Sequence, residues 1–285
     1  MREEPVVIIG MHRSGTSILT KILQEAGLFM GIDKDPNDES LFFLEFNNWI
    51  FQQINATWDC PEPYNFTSNT FKEYIAKIGR TRVQSIEMKK YWGLKNYIKY
   101  RYFQKIDSRW GWKDPRTSIT LDIWQKIYPK MKVIHIYRNP VDVAHSLQTR
   151  AIMEENNFIN QTDFNPHKYH QLKRPLRYTG SFKIMHLEKG YDLWKEYVSK
   201  SLEAENALHI KYEELLAHPE QYLSKIFEYL NITISKEDIS QFSNMFNVNR
   251  KYAFTKESEL IDFYKKIKND PIMKTLHYQN ILEEE

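Results

Sequence analysis

Pro5-Val6-Val7-Ile8-Ile9 runs into Gly10-Met11-His12-Arg13-Ser14-Gly15-Thr16-Ser17 and then into Ile18-Leu19-Thr20-Lys21-Ile22-Leu23. A short apolar run, a turn bounded by two glycines and a stretch with helical spacing predict a strand, a loop and a helix in immediate succession. Such a loop aims backbone N–H groups and a helix N-terminus at one point, which makes a seat for phosphate or sulfate. The glycine spacing is that of the nucleotide P-loop, but Thr16 stands where that loop carries its lysine. Candidate anion ligands are therefore His12, Arg13, Ser14, Gly15, Thr16 and Ser17, with Arg13 supplying the cation from within the turn. For His12 the alternative is a plain turn residue.

Outward from this stretch, short apolar runs alternate with longer helical patterns, which predicts an α/β fold with a central parallel sheet flanked by helices. Four strands are expected, at residues 5–9, 109–113, 132–137 and 207–211. One domain spanning 1–285 is expected, with a helical insertion at about 41–105 in which Tyr91, Leu94, Ile98 and Tyr102 recur at helical spacing. Residues 157–182 hold Pro166, Pro175 and Gly180 without a clear period and are expected to form a lid loop.

Forty Lys+Arg against 37 Asp+Glu leave a net charge of +3, too little to point to a nucleic-acid partner. The single cysteine, Cys60, excludes an intramolecular disulfide and an all-cysteine metal site. With no export signal and no apolar run of membrane-spanning length, the expected location is the cytoplasm. Nothing in the sequence indicates an oligomeric state.

A second constellation is Tyr137-Arg138-Asn139-Pro140 through Ser146. Here an apolar strand gives way to a helix opened by proline, so Arg138 stands at the strand edge where open α/β sheets bind ligands. Ser146, six residues past Pro140, lies under two turns into that helix. Two phosphate seats at neighbouring strand ends suit a ligand with two separated phosphate-like groups; a turn with a surface arginine is the alternative.

With both motifs in this order, the chain resembles the sulfotransferases that use 3′-phosphoadenosine 5′-phosphosulfate (PAPS). The likeness includes Trp112-Lys113-Asp114-Pro115-Arg116 and Ile210-Lys211-Tyr212-Glu213-Glu214-Leu215 and runs over about residues 5–230. It implies a three-layer, P-loop NTPase-like fold. It further implies that Gly10–Ser17 binds the 5′-phosphosulfate, that Arg138 and Ser146 bind the 3′-phosphate, and that Tyr212 belongs to the donor site. Arg250 and Lys251 match a basic C-terminal segment that closes on the 3′-phosphate in relatives. Arginine at position 13, where cytosolic small-molecule members have lysine, places the chain nearer the bacterial, carbohydrate and tyrosylprotein branches.

Sulfuryl transfer is an in-line displacement that builds negative charge on the leaving phosphate oxygen and needs a base at the acceptor hydroxyl. It requires no metal, and adenosine 3′,5′-bisphosphate (PAP) is the product. Relatives of this branch carry a glutamate in the segment after the first helix, which selects Glu39, eight residues before Asn47; a first-turn helix acid is its alternative role. Glu45, between Leu44 and Phe46, competes because apolar neighbours favour a neutral carboxyl. Lys113 and Arg116, at the end of the second strand, are expected to address the sulfonate or an anionic acceptor, or else to form a structural ion pair. The expected acceptor is a hydroxyl, with an acidic glycan suggested by the basic residues at 164–187; the lysines interleaved with aromatics at 88–106 would suit one too, but a solvated helix face plus a core stripe is the preferred reading there. The alternatives are a P-loop kinase-like phosphotransferase, against which Thr16 speaks, and a non-catalytic nucleotide-binding protein.

Overall fold

The computed structural model describes residues 4–99, 109–161, 178 and 180–283. In chain order the elements are β1 (Val6–Ile9), α1 (Thr16–Glu25), α2 (Leu41–Gln53), α3 (Asn69–Gln84), α4 (Lys89–Ile98), β2 (Gly111–Lys113), α5 (Thr117–Ile127), β3 (Lys132–Tyr137) and α6 (Pro140–Gln161). They continue with α7 (Leu187–Leu202), β4 (Leu208–Lys211), α8 (Tyr212–Ala217), α9 (Pro219–Leu230), α10 (Lys236–Ser243), α11 (Ser258–Ile267) and α12 (Pro271–Thr275). These gather into two compact units, one built from residues up to Asn139 with Lys195–Ala253, the other from Pro140–Trp194 with residues from Phe254 on.

The first unit holds the sheet. Its strands are all parallel in the order β2-β1-β3-β4, with Val7 opposite Trp112 on one side and Val133 on the other, and Ile134 opposite Leu208. The four strands fall within the four expected segments. β1 is buried at every position, as an apolar run with neighbours on both edges and both faces must be. Alternation sorts its residues: Val6 and Ile8 join Ile134, Ile136 and Ile210 on one face, packed by Leu19, Ile22 and Leu23 of α1 and by Leu223, Ile226 and Phe227 of α9. Elsewhere in this unit the core is aromatic. Phe43 of α2 stacks on Trp112 of β2 at 4.0 Å, and Trp124 of α5 lies 4.9 Å from Trp112. A polar pair interrupts the sheet where the Nδ1 atoms of His135 on β3 and His209 on β4 meet at 2.9 Å.

Between β1 and β2 the described residues include α2, α3 and α4, and the apolar stripe expected through Tyr91, Leu94 and Ile98 does not hold. Tyr91 is buried and donates its hydroxyl to the Gly111 carbonyl at 2.6 Å, whereas Leu94 is 68% exposed and Ile98 42%. The cause is Gly93, whose left-handed φ of 72° breaks α4 and rotates the residues after it off the Tyr91 face. Tyr102 lies outside the described residues.

In the second unit, α6 runs on to Gln161, so the first residues of the expected 157–182 loop are helical; residues 162–177 and 179 of that stretch lie outside the described residues. Asp142 of α6 accepts the backbone N–H of Phe254 at 2.9 Å, tying the start of the helix to the C-terminal segment. Among the described residues no helix is long and apolar enough to cross a membrane.

Candidate active site

The parallel sheet brings the C-terminal ends of its strands to one edge, and the glycine turn, Lys113, Arg116, Arg138 and Tyr212 stand at or just after those ends. After β1 the chain turns through Gly10 to Gly15. A Cβ on Gly10, φ 145°, would stand 2.1 Å from the Ile136 carbonyl oxygen, and one on Gly15, φ 94°, 2.5 Å from the Tyr212 ring. Glycine at these two points lets the turn lie close against β3 and the start of α8. Arg13 is exposed and also has a left-handed φ of 71°, unusual for a residue with a side chain and characteristic of functional loops. Gly15 caps α1 without a side-chain hydrogen bond, so the first-turn N–H groups of Thr16, Ser17 and Ile18 have no helical acceptor. The Ser14 hydroxyl is buried and has no hydrogen-bond partner among the described residues. Orphan donors converging at a helix N-terminus fit a phosphate or phosphosulfate group.

Beside this loop, Glu39 is 3% exposed and lies among cations: its Oε2 is 2.8 Å from Arg116 Nη1 and its Oε1 3.5 Å from Lys113 Nζ. His12 Nδ1 is 3.9 Å from Oε1, and the His12 ring meets Trp58 edge-on at 5.0 Å. Burial pushes the Glu39 carboxyl above the usual glutamate range and nearby Asp114 adds to the rise, while Lys113 and Arg116 pull it back. Arg116 is desolvated, but Asp114 and Glu39 outweigh that and hold it charged.

Beneath this cluster stands Asn47 of α2, whose amide is saturated. Its Nδ2 donates to Asp114 Oδ2 at 2.8 Å and Thr117 Oγ1 at 3.0 Å, and its Oδ1 accepts from Thr120 Oγ1 at 2.8 Å and Trp124 Nε1 at 2.9 Å. Asp114 in turn accepts from Arg116 Nη1 at 3.0 Å. A buried network satisfied in this way has one geometry.

A second cluster forms after β3 and β4. The Arg138 guanidinium sits 5.2 Å over the Tyr212 ring, and its Nη2 donates to the Arg250 carbonyl at 2.8 Å. Glu213 accepts the Asn139 N–H at 2.8 Å and so fixes the turn that carries Arg138. Lys251 is exposed, its Nζ 5.7 Å from the Tyr252 ring. Ser146 lies on α6, in the second unit.

Of the residues selected from sequence, His12, Glu39, Lys113 and Arg116 come together, as do Gly15, Arg138, Tyr212 and Arg250. Glu45 does not join them. It is 45% exposed on α2 and pairs with Arg82 at 3.0 Å and Lys90 at 3.4 Å. Among the described residues of the 88–106 stretch, Tyr91 and Trp92 are buried while Lys89, Lys95 and Lys99 are exposed, so these two rings offer no open face; residues 100–106 lie outside the described residues. Of the lysines and arginines in the 164–187 stretch, only Lys183 falls within the described residues.

Three residues escaped the sequence reading: Asp35, Trp58 and Tyr197. Tyr197 is buried, donates to the Trp58 carbonyl at 2.8 Å and lies 6.1 Å from the His12 ring. Only Asp35-Pro36-Asn37 carried a signal, that of a side-chain-stabilised turn.

This combination of parallel sheet, glycine turn and strand-edge cations fits a protein of the class that handles phosphate-type groups. Residues 5–236 match the family model described as "Sulfotransferase family", and the chain belongs to that family. It is accordingly a sulfotransferase, an enzyme that transfers a sulfuryl group. Comparison with curated proteins gave no match. Similar solved structures include the sulfotransferase STF9 of Mycobacterium avium, 15% identical over 86% of this chain and 68% of that one, TM-score 0.46. They also include the sulfotransferase domain of the curacin biosynthetic pathway, 14% identical over 94% and 98%, TM-score 0.49. Mouse sulfotransferase SULT7A1, complexed with PAP, is 15% identical over 98% and 90%, TM-score 0.47.

Proposed function

We propose that this sulfotransferase uses PAPS as donor and a carbohydrate hydroxyl as acceptor, with Glu39 as the general base. The observation that carries the proposal is the placement of Glu39, a buried carboxylate with a raised proton affinity beside the anion-binding turn.

The residues present fit the donor. The buried Ser14 hydroxyl, the first-turn N–H groups of α1, that of Ser17 among them, and the Thr16 hydroxyl would hold its 5′-phosphosulfate, and Arg138, Tyr212 and Arg250 its 3′-phosphoadenosine end. PAPS supplies an activated S–O bond; the protein supplies charge and a base. Arg13 and the helix N-terminus stabilise the charge that grows on the leaving phosphate oxygen. Glu39 accepts the acceptor's hydroxyl proton as the new O–S bond forms. Lys113 and Arg116 keep the carboxylate oriented and add positive charge beside the sulfonate oxygens. The half-buried ring of Trp58 next to His12 is a surface on which a sugar face can stack, and this supports the carbohydrate assignment.

Labelled PAPS offered with glycans, tyrosine peptides and simple phenols tests the acceptor. Label on the glycans is expected, and transfer to phenols or peptides alone overturns the carbohydrate. Thermal-shift titration tests the donor. Stabilisation by PAP without Mg²⁺ is expected, and a preference for Mg·ATP would sink the donor assignment.

A further inference from the structure

The segment between α1 and α2 is tied more tightly than its loop character requires. An antiparallel bridge pairs Lys34 with Ser40, the Asp35 N–H donates to the Glu39 carbonyl at 2.9 Å, and Asp38 takes a left-handed φ of 64°. Inside this turn lies the Asp35 carboxylate. Its Oδ1 accepts the backbone N–H groups of Asn37 at 2.9 Å and Glu39 at 2.7 Å, and its Oδ2 accepts the Asn37 side-chain amide at 2.9 Å. The Asn37 carbonyl then faces outward and accepts from two partners, the Ser17 hydroxyl at 2.8 Å and the Lys113 ammonium. One carbonyl thus joins the start of the anion-binding helix, the end of β2 and the residue two before the base.

We infer that Asp35 is a positioning residue: its carboxylate folds residues 35–39 into a strap that presents Glu39 and locks it in register with Ser17 and Lys113. The inference rests on Glu39 being the base. Removing the carboxylate leaves two backbone N–H groups and one amide without their acceptors, and the strap then samples conformations that carry Glu39 out of line. Because a displacement of about 1 Å costs a reaction on the order of 100-fold, the loss falls on turnover. The anion seat, built from α1 and its preceding turn, is not hydrogen-bonded to Asp35 and keeps its affinity.

The test compares Asp35→Ala and Asp35→Asn with wild type in three measurements. PAP affinity is read by calorimetry, amide exchange over residues 33–41 by mass spectrometry, and kcat and KM from slow PAPS hydrolysis, in which water stands in for the acceptor hydroxyl. For Asp35→Ala the expectation is exchange faster by about 10-fold or more in the strap alone, kcat lower by about 10- to 100-fold, and PAP affinity and PAPS KM within about threefold. Asparagine keeps one oxygen for the two N–H groups, so Asp35→Asn should recover to within about 3- to 10-fold of wild-type kcat. Wild-type turnover in the alanine variant, or a loss of PAP affinity matching the loss of turnover, overturns the inference. If the alanine variant does not fold, the asparagine variant decides: wild-type exchange and wild-type kcat together overturn it. Failure of the base assignment looks different, since Glu39→Gln would then retain turnover while strap exchange still responds to Asp35.

Discussion

The Glu39 carboxylate and the Arg116 guanidinium meet at 2.8 Å although 77 residues separate them in the chain. The contact joins the strap after α1 to the turn after β2, and it places a buried base candidate under the control of a cation that is itself held by Asp114. Replacing Glu39 with Gln should lower turnover by about 10²- to 10⁴-fold, the usual range for a general base. PAP affinity should survive within a few fold, as calorimetry would show. Glu45→Gln should turn over at close to the wild-type rate, and the opposite ranking of the two variants would refute Glu39 as the base.

The direction of the Glu39 shift sets the pH profile. Its proton affinity is raised, first by burial and then by Asp114, so the carboxyl stays protonated to a higher pH than a solvated glutamate. Activity at saturating donor should therefore fall as pH drops through a midpoint above the ordinary glutamate value of about 4.3. A kcat profile flat down to about pH 4 would contradict this.

Arg13 and Arg138 should fail in different ways. Arg138→Ala, removing a buried cation stacked on Tyr212, should weaken PAP binding by about 10- to 150-fold, the worth of one charge-assisted hydrogen bond. Arg13→Ala should lower kcat by about 10²- to 10³-fold with a smaller effect on PAP affinity, because its charge is needed most at the leaving oxygen. Calorimetry with PAP beside steady-state kinetics separates the two; equal losses in both measurements would show that the division of labour is absent.

Gly15→Ala should cost about 1–3 kcal/mol, since the new Cβ would lie 2.5 Å from the Tyr212 ring at a φ of 94°. Gly27 makes the matched control: its φ is 90° but no atom lies within 4 Å of the methyl that alanine would add, so Gly27→Ala carries the backbone cost alone, about 1 kcal/mol. Thermal melts should rank Gly15→Ala below Gly27→Ala, and only the former should lose PAP-induced stabilisation.

His135 and His209 link stability to pH. Burial lowers the proton affinity of both, with His209 adding to the effect on His135, so the folded state keeps them neutral where unfolded histidines, at about 6.5, take up protons. Their contribution to stability is present above that value and is lost as pH falls below it, by at most about 1.4 kcal/mol per pH unit for each proton. Urea melts from about pH 7.5 to 5 should show the decline, and His135→Leu should flatten it. An unchanged slope in the variant would assign the decline to other groups.

The strands and the glycine turn were legible because each rests on a local pattern: apolar runs for β1 and β3, and two glycines at fixed spacing before a helix. Lys113, Arg116 and Arg138 were legible as strand-edge residues for the same reason. Glu39 came ahead of Glu45 only through the family resemblance, and the residues themselves did not separate the two, because the difference lies in which side of the start of α2 each occupies, and that is decided by the Asp35 turn and by Asn47 anchoring α2 against α5. The stripe through Tyr91, Leu94 and Ile98 misled because helical periodicity assumes an unbroken helix, and the single glycine within it reverses the backbone. Trp58 and Tyr197 join the site through contacts across the fold that no sequence spacing announces.

Asn47 has a practical consequence. With both amide atoms committed inward, α2 has one face that carries the Asn47 network beneath the Glu39 cluster and another, carrying Glu45, that pairs with Arg82 and Lys90. A fluorophore or surface tether attached at position 45 would therefore stand on the outer face of α2 and displace only the exposed contacts with Arg82 and Lys90, leaving the Asn47 network untouched.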